Sequence, residues 1–408
     1  MDYVRGFGKN LRISGHNFSF IRFFRYVRNR NLSLIIIKNK PHEYKMLSIF
    51  KNLRNSLTVF LAILTGICSF TSCSGVYEDL EECNRGVVMR FVFDYNLEFA
   101  NSFYSQVDCL TLFVFDENGN LVTRRVETSS VLQDEDWRMT LDLPAGRYHA
   151  VAYGGLECDK ASFSFVKPAE SVRKTEDLEV LINEEYIGEE SERPDHKLHD
   201  LFHGALDFTV TEGLDYDQIT LRMIRNTNNI RIVLQHIDYT PVDDKDFRFE
   251  IIDDNTHFNH ENNILPEKEV IYTPWISGTR IAGVDGRPVN PETESRSSAD
   301  NVQVGFAELS VSRLMHPSAY TWTHETAGTQ HGPRLRITAV KDSHTVIDVP
   351  LTNYLLLLKS EAYKMDDQQF LDRGYNYDLV LFLDRNNCWV RMNIIVMDWV
   401  VRINNIDY

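Results

Sequence analysis

The chain has 408 residues, with 43 Lys+Arg against 59 Asp+Glu and a formal charge of −16. Residues 1–72 carry 12 Lys+Arg and 2 Asp+Glu, so the remaining 336 residues hold 31 and 57, a formal charge of −26. So acidic a body excludes phosphate-backbone binding, which needs clustered cations, and adhesion through its folded surface to an anionic membrane.

The first elements are signals rather than fold. Ser56 to Phe70 is an apolar stretch with Lys51 and Arg54 ahead of it and Thr71, Ser72 and Cys73 behind. A basic flank, a short apolar core and small residues at the cut form an export signal. The core of about 15 residues is short of the ~20 that span a bilayer as a helix. Phe70-Thr71-Ser72-Cys73 resembles a bacterial lipobox with Phe in place of the usual Leu, which makes Cys73 the expected lipidation site. The plainer reading, an ordinary cysteine after a buried helix, leaves the basic flank unexplained. Residues 46–72 are therefore expected to be a lipoprotein signal peptide starting at Met46, and residues 1–45 a non-native extension from a misplaced start. The basic cluster Arg22, Arg25, Arg28 and Arg30 lies in that extension, where a nucleic-acid partner is not expected.

Residues 73–86 are acidic and Gly-bounded, and read as a tether. Strands follow. Val87, Met89, Phe91, Phe93 and Tyr95 share one side of a period-two pattern, with Arg90 and Asp94 on the other. Residues 106–127 read as a hairpin turning at Asp116–Asn120, and Pro144-Ala145-Gly146 separates two more strands. Further strands are expected at 163–166, 178–182, 205–210 and, as one run, 219–234. Such short strands with turns between them indicate β-sandwiches. At 336 residues two domains are expected, at 87–240 and 241–408, with the boundary where Pro241 and acidic residues follow an apolar strand. The second half gives strands at 247–252, 304–311, 335–340 and 345–349, a solvated loop at 285–301, and an ambiguous helix at Leu351–Met365. A hairpin turning at Asp384–Asn387 closes the chain.

No catalytic constellation is evident: GxSxG, P-loop and GxGxxG patterns are absent, and the chain reads as no enzyme and as needing no cofactor. His199 and His203 would share a helix face as metal ligands need, yet the adjoining Leu201-Phe202 alternation reads as a strand, so a polar loop is preferred to a metal site. Asp253, Asp254, His257, His260 and Glu261 lack calcium-loop spacing. Trp275 and Trp322 could stack on sugars or simply anchor loops. After Cys68 leaves with the signal and Cys73 is acylated, Cys83, Cys109, Cys158 and Cys388 remain. They allow three complete pairings, with Cys109, inside an apolar strand, expected as a buried free thiol.

Several stretches together resemble the FimB-type fimbrillin-associated anchor lipoproteins of Bacteroidales. They are the segment from Cys73 to Val122, LPAGRYHAVAYGG, DLFHGALDF, NTNNIRIVLQ, IDVPLTNYLLL, and the C-terminal block from Gln368. The resemblance implies two transthyretin-like β-sandwich domains in tandem, lipid attachment to the outer membrane through Cys73, and a place in a surface fimbria. Its implied partners are fimbrillin-type pilus subunits, met by strand complementation. An open sheet edge is suited to that, since it must be paired or covered. The C-terminal strand residues Val390, Met392, Ile394, Val396 and Trp399 are the expected pairing strand; a built-in strand of its own domain is the alternative. A surface glycan-binding lipoprotein is the competing function. Arg85 is the one tether residue suited to Arg-specific cleavage, and an anchor is expected to stay uncut there.

Overall fold

The computed structural model describes residues 86–187, 197–213, 215–265, 268–283, 301–316, 332–359, 364–396 and 399–404, with backbone only from residue 396 on. The chain divides into units Met1–Leu80 and Glu81–Tyr408, and all described residues lie in the second. The expected extension, signal peptide, Cys73, Cys83, Arg85, Trp322 and nearly all of the 285–301 loop lie outside the described residues.

The architecture is all-β, in sandwich layers. β1 (Gly86–Val92) is the middle of a three-stranded sheet, between β4 (Met139–Asp142) and β9 (Asp217–Arg222). A five-stranded sheet faces it, in the order β10 (Ile224–Arg225), β8 (Phe202–Val210), β5 (Gly146–Gly154), β2 (Leu110–Asp116) and β3 (Leu121–Glu127). Val87, Met89 and Phe91 of β1 meet Leu110, Leu112 and Val114 of β2 in one core. Each such side chain, fully buried, contributes roughly 1.5–3 kcal/mol.

The other face of the five-stranded sheet carries Phe113, Phe115, Val151 and Tyr153 into a second core. There they meet a small sheet of β13 (His257–Phe258), β7 (Val180–Ile182) and β6 (Phe163–Phe165). The same core continues between two larger sheets. One runs β14 (Val270–Tyr272), β12 (Phe247–Asp253), β17 (Arg334–Ala339), β18 (Thr345–Pro350). The other runs β15 (Ile276–Gly283), β16 (Asn301–Ser312), β11 (Thr227–His236), β19 (Asn376–Leu383), β20 (Trp389–Val396), β21 (Trp399–Asn404). β2 is buried along almost its whole length because both faces of its sheet are covered, and its run Leu-Thr-Leu-Phe-Val-Phe suits that position.

The expected turns form by the expected chemistry. At 116–120 the Asp116 carboxylate accepts from the backbone N–H of Asn118 (2.8 Å) and Asn120 (2.9 Å), while Gly119 takes φ +74°. Among the described residues Leu351–Met365 gives a short helix, α2 (Leu351–Leu355), and one further turn; the other described α-helices are α1 (Phe103–Gln106) and α3 (Asp367–Arg373). The Asp366 carboxylate caps α3 by accepting from Gln369 N at 2.7 Å.

Two expectations are corrected. Cys109 is no free thiol; it is bonded to Cys158. β2 and β5 run antiparallel with Leu110 opposite Gly154, and Gly155 N donates to Cys109 O, so the turn after β5 brings residue 158 back beside residue 109. Gly155 is needed there: it has φ +90°, and a Cβ would sit 1.9 Å from Asp200 O. The run 219–234 is three strands in three different sheets. The breaks fall at Met223, whose N–H donates to Val92 O, and at Asn226, whose N–H donates to Leu201 O, while Arg225 between them reaches Asp200 at 2.5 Å. β11, although ahead of residue 240, pairs on both sides with strands beyond it, β16 and β19.

Candidate assembly edge

The C-terminal hairpin is built by its turn. The Asp384 carboxylate accepts from the N–H groups of Asn386 (2.8 Å) and Cys388 (2.9 Å), and Asn387 adopts φ +59°. Arg385 reaches Asp238 at 2.7 Å, and the Thr240 hydroxyl and Arg385 together hold that carboxylate down to about 2. β20 then pairs antiparallel with β19, from Asp378 opposite Ile395 to Leu383 opposite Trp389. β21 pairs with β20 from Arg391 opposite Asn404 to Val396 opposite Trp399.

The expected pairing residues therefore divide. Met392 and Ile394 are almost fully buried in the core of their own sandwich, and Val390 is half-buried beside them. β20 is an interior strand, held on both sides. Val396 and Trp399 are partners at one end of the β20–β21 register, and their side chains lie outside the described residues. The outward edge of β21 has no strand partner among the described residues. Met392 and Ile394 of the expected pairing strand face the core of their own sandwich, and residue spacing alone does not tell an interior strand from an edge.

At the other end β1 is closed. It pairs antiparallel with β4 from Gly86 opposite Asp142, and parallel with β9 over Val87–Val92. The strand that leaves the expected tether is thus locked between two neighbours.

The remaining sequence candidates scatter. His203 lies in β8, not on a helix with His199; burial pushes its imidazole down to about 4, and its Nε2 hydrogen-bonds His260 O at 2.9 Å. His199 donates its backbone N–H to the Ser162 hydroxyl. His257 pairs with Glu179 at 3.0 Å. No group of three or more His, Cys, Asp or Glu could hold a metal among the described residues. Trp275 lies under the Lys197 ammonium, 5.0 Å from its ring centre. The alternation expected to run on through Phe93 and Tyr95 stops at Val92, the end of β1, and residues 93–102 turn on the side chains of Asn96 and Asn101 instead.

The profile of the fimbrillin-A associated anchor proteins Mfa1 and Mfa2 matches residues 80–405. The chain belongs to this family. An adhesin candidate from Bacteroides thetaiotaomicron is 44% identical, with 80% of this chain and 100% of that one covered and a TM-score of 0.67. A candidate polysaccharide-binding protein of the same organism is 24% identical over 79% and 99% of the two chains, TM-score 0.60. The fimbrial anchor protein Mfa2 of Porphyromonas gingivalis is 14% identical over 78% and 99%, TM-score 0.51, which supports the fold alone. No curated protein matches. Membership of the anchor family makes this chain a component of a surface fimbria.

Proposed function

We propose that the chain is acylated at Cys73, held by that lipid at the outer membrane, and joined to a fimbrillin-type subunit by strand pairing at the open edge of β21. The carrying observation is an asymmetry between β1 and β21: among the described residues β1 is paired on both sides and β21 on one. An unpaired edge is a template for another chain's strand. A lipid contributes ~0.8 kcal/mol per buried methylene, so several acyl chains on one cysteine would resist pulling. The two tandem domains would then change over at residues 223–227, where the chain passes between sheets, rather than at 240.

Cys73→Ala tests the lipid: intact fibres should appear in the medium. Fibres that stay cell-bound would refute the role of Cys73. Removing residues 399–408 tests the edge: a folded protein that no longer enters fibres supports it, and unchanged incorporation sinks it.

A further inference from the structure

Each sheet ends in two edge strands, whose outer backbone groups invite pairing unless something protects them. Most edges among the described residues are protected. β4 has four residues, β6 and β14 three each, and β10 and β13 two each. The register of β3 on β2 shifts between Val114 and Phe115, and β3 carries Arg124, Arg125 and Glu127. Its start is covered by Arg173, whose carbonyl accepts from Leu121 N at 2.8 Å. β18 sits on an irregular register between Ile337 and Thr338 of β17 and ends in Pro350. β9 has Asp217 and Arg222 at its ends, bonded to Thr211 and Asp94.

β15 is different. Its eight residues, Ile-Ser-Gly-Thr-Arg-Ile-Ala-Gly, include no Pro, Lys or carboxylate. Its register on β16 is unbroken, from Ile276 opposite Glu308 to Gly283 opposite Asn301. At ~3.4 Å per residue this is an edge of about 27 Å. It lies at the far side of the six-stranded sheet from β21, and its outer edge has no strand partner among the described residues. Ile276 is 38% and Ile281 51% exposed, and strand alternation puts them on opposite faces. A strand laid along β15 would cover both.

One charge marks this edge. Gly278 stands opposite Phe306, whose ring packs where a side chain at 278 would be crowded. The exposed Arg280 guanidinium is held 3.9 Å from the centre of that ring, and it has no carboxylate or hydrogen-bond partner among the described residues. The neighbouring carboxylates are taken. Asp244 accepts from the Ser277 hydroxyl at 2.7 Å, and Glu308 pairs with Arg231 at 3.0 Å. Across an added strand, an opposite charge facing Arg280 is stabilising and a like charge destabilising. A second copy would bring its own Arg280 to the edge and a body of formal charge −26 behind it, which argues against self-pairing.

We infer that β15 is a second strand-docking edge, whose occupant is an extended segment of another fimbrial subunit with a carboxylate facing Arg280 and apolar side chains over Ile276 and Ile281. In such docking, main-chain bonds give affinity and side-chain positions choose the partner. The inference depends on neither Cys73 nor β21. The probes are three eight-residue peptides alternating valine and threonine, identical except for glutamate, glutamine or lysine at one central threonine position. Each is titrated into the full chain while hydrogen exchange is followed at the amides of residues 276–283 and 399–404. The glutamate peptide should protect 276–283 saturably and bind about fivefold or more tighter than the lysine peptide, as attraction gives way to repulsion across an exposed pair. Arg280→Glu should reverse that order. Ile281→Lys, at an exposed position, should leave thermal melting unchanged and weaken all three, since a lysine guards an edge. No protection by any peptide, equal protection by all three, an order unchanged by Arg280→Glu, or protection confined to 399–404 overturns the inference. Self-association of the chain that Ile281→Lys abolishes, without peptide protection, would make a second copy the occupant and overturn it likewise.

Discussion

The strand that opens the described chain and the strand that closes it are in opposite situations. β1 is clasped by β4 and β9, and sends Val87, Met89 and Phe91 into a core. β21 rests on β20 alone, and its other edge is free among the described residues. The comparison teaches where such a protein can be pulled and where it can be joined. A tether attached to a doubly paired strand transmits force into a sheet without opening one. A singly paired terminal strand offers backbone donors and acceptors without dismantling a core.

The largest test of that contrast compares two deletions. Loss of residues 86–92 removes four buried side chains, Val87, Met89, Phe91 and Val92, of the kind worth about 2–5 kcal/mol each on truncation, and should abolish cooperative unfolding of the first sandwich in urea. Loss of residues 399–404 should leave cooperative unfolding intact with a much smaller shift. Equal effects would remove the distinction between a closed and an open end.

Next in size is the disulfide. Cys158→Ala together with Cys109→Ala opens a crosslink of sequence separation 49, worth about 4 kcal/mol in the chain-entropy account. The loss should appear in the unfolding of the first sandwich. A midpoint matching the unmodified protein would show that β2 and β5 hold this corner unaided.

Somewhat smaller is a pH effect at the contact between β8 and the turn after β13. The His203 imidazole is pushed down to about 4 by burial, against ~6.5 unfolded. Between those values the unfolded chain binds the proton more readily, so stability is fully present above about 6.5 and is lost as pH falls toward 4. The full loss is about 3 kcal/mol. His203→Gln should flatten this part of the stability profile; an unaltered slope would assign it elsewhere. Smallest is the exposed pair Arg147–Glu117, 2.7 Å apart with side chains 76% and 56% exposed. Arg147→Ala should shift stability by no more than about 0.5 kcal/mol, measured by the same urea titration, and a larger loss would show the edge of the first sandwich to be unexpectedly sensitive.

Much of the fold was legible locally. The alternation around β1, the Asp116 and Asp384 turns, the Pro144–Gly146 corner and the terminal hairpin all stand where the residue patterns put them. Each depends on side chains within a few residues of one another. The misreadings share the opposite character. Cys109 looked like a core thiol because its neighbours are apolar, while its partner arrives from 49 residues away. The run 219–234 looked continuous because apolar residues recur through it, while its breaks at Met223 and Asn226 are made by backbone bonds to distant Val92 and Leu201. Phe99 gave no sign that its ring would be left outside, since that depends on Asn96 and Asn101 closing the loop beneath it.

The sequence by itself determined that this is an acidic, strand-built chain with sandwich patterning and a family kinship over residues 80–405. Period-two burial and turn chemistry are short-range properties, and a single chain displays them. Only the tertiary structure decided which strands are neighbours, which edge stays open, and that β1 is locked while β21 is not. Backbone hydrogen bonds between strands carry no side-chain signature, so an interior strand such as β20 and an edge strand such as β21 read alike until the sheet is assembled.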